Sequence, residues 1–259
     1  MRSASSTPKA PRGGTRPVAQ PRSLPWLPEA PRAFPSPAQA GPEGLLAAGG
    51  SLDVSTLRRA YGAGIFPWFD EDAPILWWSP NPRAVLLPSA LRIRRSLRKT
   101  LRHGGFHCTM DEAFDAVVAG CAAPRRDGGG TWLTEAMQAA YVAAHDAGLA
   151  HSLEVWKDGA LAGGLYGMAL GRCFFGESMF STVRDASKVG LVHLCGQLAA
   201  WNFALLDCQV GHPHTEFLGA RPLARDAFLR IVAGLTGQKS LAPHGPWTLR
   251  WSAVLGSGG

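Results

Sequence analysis

Acidic residues and closely spaced cysteines are scarce in this chain. It carries 19 acidic residues against 26 lysines and arginines, and no acid occurs between Asp72 and Asp111. The five cysteines are irregularly spaced and include no CxxC pair, which favours reduced thiols in a cytosolic protein. No apolar run approaches the roughly 20 residues that a membrane span needs. We therefore expect no membrane partner.

The positive charge is concentrated near the N-terminus. Residues 1–42 contain six of the lysines and arginines, one acid and ten prolines. Such a composition cannot bury a core and predicts a disordered tail over residues 1–33. Because the rest of the chain is almost neutral, the pI of about 9.5 is weak evidence for a nucleic-acid partner, and any such contact needs a local basic patch.

The remaining chain divides into three parts by composition. Residues 34–82, rich in tryptophan and broken by prolines, predict a small N-terminal subdomain, residues 83–235 the main domain, and residues 236–259 a loosely ordered tail. Within the main domain, residues 151–157, 160–169 and 173–181 predict a three-strand meander. Helical patterns before and after it predict an α+β layer with a mostly antiparallel sheet.

Two carboxylates stand alone in apolar strand patterns. They lie in the strings Gly176-Glu-Ser-Met-Phe-Ser181 and Leu206-Asp-Cys-Gln209. A carboxylate in a core strand costs free energy unless it is paired or functional. Strand alternation would place Asp207 and Gln209 on one face, where the glutamine amide could donate to the carboxylate and keep its oxygen free for an amine. The alternative, a buried structural pair, is slightly favoured by the pattern alone.

The same alternation predicts a shared face for Glu177, Met179 and Ser181. A carboxylate beside a methionine suits a pocket with one charged end and one apolar wall. The alternative is an ion pair between Glu177 and Arg184 or Lys188 after the following turn. The residues alone leave these two interpretations evenly balanced.

One segment of the main domain is strongly basic. Its cations are Arg92, Arg94, Arg95, Arg98, Lys99 and Arg102. Positions 95, 98, 99 and 102 follow the i, i+3, i+4, i+7 spacing of one helical face. Because neighbouring acids are missing, this basic stripe favours a phosphate backbone over a solvated surface of mixed charge.

Two patterns that would imply a cofactor or metal are set aside. Residues 125–130 match the R-x-x-G-x-G loop that grips coenzyme A, but they follow a predicted helix where that loop should follow a core strand. Cys208, His212 and His214 lack a clear fourth ligand and zinc-finger spacing. His151, which opens a strand, is interpreted as structural. We expect neither a metal nor a cofactor.

Several short strings occur in a fixed order from about Phe34 to Leu235. They include Gly64-Ile-Phe-Pro-Trp68, Ile75-Leu-Trp-Trp-Ser-Pro80, Gly163-Gly-Leu-Tyr-Gly167, Gly176-Glu-Ser-Met-Phe-Ser181, Ala186-Ser-Lys188 and Asp207-Cys-Gln209. Together they closely resemble the leucyl/phenylalanyl-tRNA–protein transferases. The resemblance implies an acetyltransferase-like (GNAT-like) main domain and an enzyme without metal or nucleotide cofactor.

The resemblance also implies the reaction. Such an aminoacyltransferase moves Leu or Phe, with Met as a third candidate, from aminoacyl-tRNA to the α-amino group of a protein that begins with Lys or Arg. This reaction belongs to the N-degron (N-end rule) pathway of protein catabolism. The expected partners are charged tRNA and the acceptor protein, and the expected enzyme is a cytoplasmic monomer.

Residue roles follow from the resemblance position by position. Asp207 and Gln209 match the proposed catalytic pair, and Glu177 matches the acidic residue beside the acceptor peptide. Trp68 and Trp132 match aromatic residues near the tRNA 3′ adenosine. Arg95, within the basic stripe, matches a tRNA-contacting arginine.

The same resemblance implies a pocket for the Leu or Phe side chain. Its expected residues are Leu165, Met179, Ser181, Leu194 and Leu198. Relatives carry Phe at some pocket positions where this chain has Leu194 and Leu198, so the sequence leaves the preference between Leu and Phe open.

Two other functions remain open from the sequence. A small-molecule N-acyltransferase would bind acyl-coenzyme A. A non-catalytic tRNA-binding module would keep all its activities when Asp207 is replaced. For the transferase, the aminoacyl ester is already activated and an α-amine has a pKa of about 7.7–8.0, so orientation and oxyanion stabilisation should supply most of the rate.

Overall fold

The computed structural model describes residues 23–124 and 133–252. The strands are β1 Trp26–Leu27, β2 Leu45–Gly49, β3 Phe66–Pro67, β4 Leu76–Trp78, β5 Arg83–Leu86, β6 Phe106–Met110, β7 Ala150–Lys157, β8 Ala160–Leu170, β9 Cys173–Ser181, β10 Leu205–Gln209 and β11 Arg221–Leu223. The helices are α1 Val54–Gly62, α2 Arg95–His103, α3 Phe114–Ala122, α4 Glu135–Asp146, α5 Ala186–Ala200, α6 Pro213–Phe217 and α7 Arg225–Leu235. Within these ranges, no helix is long and apolar enough to cross a membrane.

The strands form two sheets. A four-stranded sheet in the N-terminal part has the order β1-β2-β4-β3, and a seven-stranded sheet has the order β11-β5-β10-β9-β8-β7-β6. The predicted meander corresponds to β7, β8 and β9, which pair in antiparallel fashion. Because the pairs of the large sheet are antiparallel apart from β9 with β10, the expected α+β class with a mostly antiparallel sheet is confirmed.

Side-chain alternation separates two hydrophobic clusters on the faces of the large sheet. Phe175 and Leu205 belong to one cluster, which also includes side chains from α1 and the small sheet. Their neighbours Phe174 and Leu206 belong to the other, which includes much of α5. The N-terminal part and the main domain therefore share a core.

Local capping fixes where two of these helices begin. The Asp53 carboxylate accepts from the backbone N–H of Thr56 at 2.9 Å and starts α1, and the Thr134 hydroxyl accepts from Met137 at 3.2 Å and starts α4. Such caps satisfy backbone donors that the first helical turn leaves without partners.

The parallel pair β9–β10 separates part-way along its length. Its last paired residues are Phe175 and Asp207. Immediately beyond them both strands have a bulge: the register of β9 on β8 skips Glu177, and the register of β10 on β5 skips Cys208. Because β-bulges bend strands and redirect side chains, the two strands diverge here and leave a cavity between them.

The expectation of a disordered tail over residues 1–33 needs correction within its described part. Trp26 and Leu27 form β1, which pairs in parallel with Ala48 and Gly49 of β2. The Leu27 side chain is buried in the shared core. The buried Leu27 and the backbone hydrogen bonds from Ala48 to Pro25 and from Gly50 to Leu27 hold this segment against β2, although its average composition is that of a tail.

The expectation of a loosely ordered tail after residue 235 also needs correction. Trp247 is 3% exposed, and its ring stacks on His151 with the centroids 3.6 Å apart. Its backbone N–H donates to the Asp111 carboxylate at 2.6 Å, and the same carboxylate contacts His151 at 2.7 Å. These contacts fasten residues near 247 to the sheet and confirm that His151 has a structural role.

Candidate functional site

A cavity of about 420 Å³ lies where β9 and β10 diverge. Residues of β9, the end of β10, α5 and α6 surround it. The predicted site residues that line it are Leu165, Glu177, Met179, Ser181, Leu194 and Gln209. Glu177 contributes a carboxylate to the lining, and Leu165, Met179 and Leu194 contribute apolar side chains. The predicted shared strand face of Glu177 and Met179 is wrong, because the bulge at Glu177 turns it toward Tyr141 in one core cluster, while Met179 packs against the other cluster.

Glu177 is held by a chain of hydroxyl groups. Its carboxylate accepts from the Tyr141 hydroxyl at 2.5 Å and from the side-chain amide of Gln209 at 2.9 Å. Because Tyr141 donates to Glu177, its oxygen accepts from the Tyr61 hydroxyl, 2.8 Å away. The alternative ion pair between Glu177 and Arg184 or Lys188 is wrong, since both of these cations pair with Asp185.

Burial determines the protonation of this group. It raises the pKa of Glu177 from 4.5 to about 7, while the hydroxyls of Tyr141 and Tyr61 act in the opposite direction. Burial, together with the charge of Glu177, also raises the pKa values of Tyr61, Tyr141 and Tyr166 well above their usual range. Near neutral pH the tyrosines therefore remain hydroxyl donors, and the carboxyl group of Glu177 exchanges between its charged and neutral forms.

Asp207 is not among the residues that line the cavity. It is fully buried and accepts two hydrogen bonds from the equally buried Arg83: from Nε to Oδ1 at 2.8 Å and from Nη2 to Oδ2 at 2.6 Å. This paired, bidentate arrangement is the form in which a buried carboxylate is tolerated.

The expected side-chain pair between Asp207 and Gln209 is wrong. The backbone N–H of Gln209 donates to Asp207 Oδ1 at 2.9 Å, while the side-chain amide of Gln209 donates to Glu177. Two backbone features break the alternation on which the expectation depended: the bulge at Cys208 and the left-handed conformation of Gln209, with φ of 59°.

One group of the described residues has the donor atoms for a metal ion. Asp111, His145 and His151 bring three ligand atoms within 4.8 Å of one another. The Asp111 oxygens already accept from the backbone N–H groups of Ser152 and Trp247, and His145 Nδ1 contacts the Ala150 carbonyl at 2.8 Å. These hydrogen bonds give the three side chains a structural role, because they connect separate segments of the fold.

The sequence matches two family models. One, described as leucyl/phenylalanyl-tRNA protein transferase, matches residues 85–233, and one for the N-terminal domain of the same proteins matches residues 50–81. The chain belongs to the leucyl/phenylalanyl-tRNA–protein transferase family. The family resemblance stated from the sequence is therefore confirmed.

Relatives of the same name cover most of the chain. The transferase of Chromohalobacter salexigens is 58% identical over 208 residues, which are 80% of this chain and 81% of that protein. The transferase of Hydrogenovibrio crunogenus is 50% identical over 244 residues, 92% of this chain and 93% of that protein.

Solved structures give more distant likenesses. A GCN5-related N-acetyltransferase from Kribbella flavida has a TM-score of 0.37 and 10% identity, covering 62% of this chain and 57% of that chain. The C-terminal domain of a putative lysylphosphatidylglycerol synthetase from Agrobacterium fabrum has a TM-score of 0.39 and 13% identity, covering 74% of this chain and 72% of that chain. Both scores are below 0.5, so the assignment of the fold depends on the strand order and helices described above.

Not all residues that the transferase family implies reach the cavity. Trp68 is 43% exposed and packs on Trp78, with the ring centroids 5.6 Å apart, but it does not line the cavity. Leu198 lies one turn of α5 beyond Leu194 and is enclosed in the core. Trp132 lies outside the described residues.

The basic stripe at positions 95, 98, 99 and 102 lies on α2, and Arg92 and Arg94 precede this helix. All six cations are exposed, while Leu97 on the same helix is buried. None of the ion pairs in the described ranges includes one of these six. Arg94 lies over the Phe217 ring at 4.3 Å, and therefore links the stripe to α6, which borders the cavity.

Sequence reasoning missed Arg83, Tyr61 and Tyr141. Tyr61, Tyr141 and Tyr166 are the chain's three tyrosines, and all three are fully buried around Glu177. A tyrosine within an apolar helix is a usable signal, because a buried hydroxyl needs a partner. The sequence does not identify that partner, because Tyr61 and Tyr141 are 80 positions apart.

Proposed function

We propose that this protein transfers Leu or Phe from aminoacyl-tRNA to the α-amino group of an acceptor protein that begins with Lys or Arg. Membership of the transferase family supports the reaction class. The observation that carries the acceptor assignment is Glu177, a buried carboxylate that lines a cavity together with apolar side chains.

The apolar wall accounts for the amino acid that is transferred. Leu165, Met179 and Leu194 line it, and hydrophobic burial favours an aliphatic or aromatic side chain at this position. Methionine is flexible and adapts to differently shaped partners. It can accommodate both Leu and Phe, and Met is a third candidate on the same grounds.

Glu177 accounts for the choice of acceptor. Taking a carboxylate out of water is costly unless a counter-charge accompanies it. The neighbours that donate hydrogen bonds to Glu177 are neutral. The side chain of an N-terminal Lys or Arg would supply the missing positive charge, whereas an apolar first residue would leave the ionised carboxylate without it.

Gln209 accounts for orientation of the nucleophile. Its amide N–H is engaged by Glu177, which fixes the side chain and directs the carbonyl oxygen as an acceptor for the attacking amine. The amine nitrogen bonds to the ester carbonyl carbon, the ester C–O bond breaks, and the released ribose hydroxyl takes up the proton that the amine loses. The neutral amine is available because its pKa is about 7.7–8.0.

The direct test uses tRNA charged with radiolabelled Leu and an acceptor protein that begins with Arg. We expect label in the acceptor with the wild-type protein and strongly reduced label with Gln209→Ala. Unlabelled acceptor in the wild-type reaction would refute the proposal. Labelling that needs acyl-coenzyme A and survives ribonuclease would favour the small-molecule acyltransferase instead. The N-degron role and a monomeric state belong to the same proposal.

The basic stripe is expected to bind the tRNA backbone. Replacing both Arg95 and Arg98 with Glu should raise KM for charged tRNA and flatten its dependence on salt, because each lost phosphate contact lowers the slope of log K against log salt by about 0.7–0.9. The matched control reverses two exposed arginines elsewhere, Arg58 and Arg230. Equal KM values for the two double variants would remove the stripe from the tRNA interface.

A further inference from the structure

Arg83 is a buried cation that the proposed reaction does not use directly. It begins β5, is fully buried and forms the bidentate ion pair with Asp207. Its guanidinium group lies over two aromatic rings, 4.7 Å from the centroid of Phe66 and 4.6 Å from that of Phe228. The two ring contacts and the bidentate hydrogen bonds to Asp207 together fix the position and orientation of the planar guanidinium group.

The ion pair joins three parts of the molecule at one point. Phe66 belongs to the small N-terminal sheet, Phe228 to α7, and Asp207 to the last paired position of β10 before the cavity. The Arg83 Nη1 also lies 3.4 Å from the carbonyl oxygen of Gly64. The place of the Asp207 carboxylate is therefore set by residues that do not line the cavity.

The Asp207 carboxylate in turn holds the backbone of Gln209. Its Oδ1 accepts from the Gln209 N–H at 2.9 Å, at a residue whose φ is 59°. A left-handed conformation is unfavourable for a residue with a β-carbon and persists only where surrounding contacts impose it. This conformation, with the bulge before it, sends the Gln209 side chain toward Glu177, which its amide contacts at 2.9 Å.

We infer that Arg83 is a positioning residue that acts through Asp207 to hold Gln209 in its left-handed conformation at the cavity wall. Asp207 then contributes to transfer through its oxygen Oδ1, as an acceptor for one backbone N–H, without contacting the substrate. This inference depends on the proposed transfer reaction and assigns to the ion pair a function within it.

Two double variants test separately whether transfer needs the acceptor oxygen of Asp207 or the charges of the Arg83–Asp207 pair. Arg83→Met with Asp207→Leu removes the ion pair and the acceptor, and buried pairs replaced by apolar residues of similar volume commonly keep their stability. Arg83→Gln with Asp207→Asn also removes both charges but retains an oxygen that can accept from Gln209. Steady-state transfer with wild-type protein and both variants should be measured together with their melting temperatures.

We expect kcat of the apolar pair to fall at least about ten-fold, with KM for charged tRNA close to wild type, because the loss concerns orientation of the reacting groups. We expect kcat of the polar pair to stay within about three-fold of wild type. A folded apolar pair with wild-type kcat would overturn the inference, since the ion pair would then be structural alone.

Equal inactivation of the two folded variants would also overturn it, since the charge itself would then be required. If the apolar pair does not fold, Arg83→Gln with Asp207→Leu, which removes the acceptor oxygen and keeps a polar residue at position 83, takes its place. A kcat about ten-fold below that of the polar pair then supports the inference, and equal kcat values of these two variants refute it. Wild-type protein without transfer activity refutes the proposed function and the inference with it. Active wild-type protein with unaltered variants refutes the inference alone.

Discussion

Replacing Glu177 with Gln should lower kcat/KM for an acceptor that begins with Arg by about a hundred-fold. Glu177 is the one carboxylate among the described residues that line the cavity. The substitution keeps its size, and the remaining oxygen can accept from Gln209 while the new NH2 group donates to the Tyr141 hydroxyl. What is lost is the charge that would pair with the acceptor cation. Loss of one partner of a buried, hydrogen-bonded charge pair costs about 2–5 kcal/mol, and about 2.7 kcal/mol is a hundred-fold.

The measurement compares acceptor peptides that begin with Arg, Lys and Leu. The variant should lose its preference for the two cationic peptides, while KM for charged tRNA changes little. Glu216→Gln is the matched control, because Glu216 is an exposed carboxylate on α6, next to the cavity. Unchanged discrimination by Glu177→Gln would disprove the acceptor assignment.

The pH dependence of the same variant provides a second measurement. Since the pKa of Glu177 is raised to about 7, the ionised form that binds a cation becomes dominant above that pH. For wild-type protein, kcat/KM should rise through pH 7, in addition to the deprotonation of the acceptor amine at about 7.7–8.0. Glu177→Gln should retain the amine step and lose the step near 7.

The raised pKa also predicts an effect on stability with a definite sign. Between the ordinary value of 4.5 and about 7 the folded protein binds more protons at Glu177 than the unfolded chain, so stability from this group falls as the pH rises through this window. Glu177→Gln cannot ionise. The melting temperature of the variant minus that of wild type should therefore be larger at pH 8 than at pH 5. The same difference at both pH values would contradict the raised pKa.

The sequence was sufficient for the features that depend on local patterns. The meander and the helix over α2 follow from alternation and helical spacing, and Glu177 was found as a lone carboxylate among apolar residues. Glu177 and Met179 both line the cavity. They do not share the strand face that alternation predicted, because a bulge turns Glu177 toward one core cluster while Met179 packs against the other.

The sequence was insufficient where backbone irregularity or long separation determines the site. Alternation placed Gln209 beside the Asp207 side chain, but a bulge and a positive φ redirect it to Glu177. Arg83 and Asp207 are 124 positions apart. A buried ion pair of this kind has no local signature, because each residue alone looks like a charge in a strand.

Leu198 shows a different kind of error. The resemblance assigned it to the same pocket as Leu194, four positions earlier on α5. Leu194 lines the cavity and Leu198 does not, because Leu198, one helical turn later, is buried in the hydrophobic cluster. A family motif indicates which residue type stands at a position. Whether that side chain lines the cavity depends on how far the cavity extends along the helix.

Replacing Trp247 with Ala should destabilise the protein by about 3–5 kcal/mol, the usual cost of removing a buried aromatic side chain. Its ring is in contact with several aromatic groups of the main domain: His151 at 3.6 Å, Trp201 at 4.9 Å, Phe203 at 5.8 Å and Phe174 at 6.1 Å between centroids. For a chain of this size, the melting temperature should fall by about 6–20 °C.

The matched control is Trp26→Ala, which removes the same side chain from a position that is 71% exposed. Exposed substitutions of this kind usually change stability by less than about 0.5 kcal/mol, and thermal unfolding followed by circular dichroism measures both variants. Equal melting temperatures for the two would show that residues near 247 are not part of the folded core. A selective loss in Trp247→Ala would show that the core extends beyond residue 233, where the match to the family model ends, because the ring of Trp247 fills space that the main domain cannot close by itself.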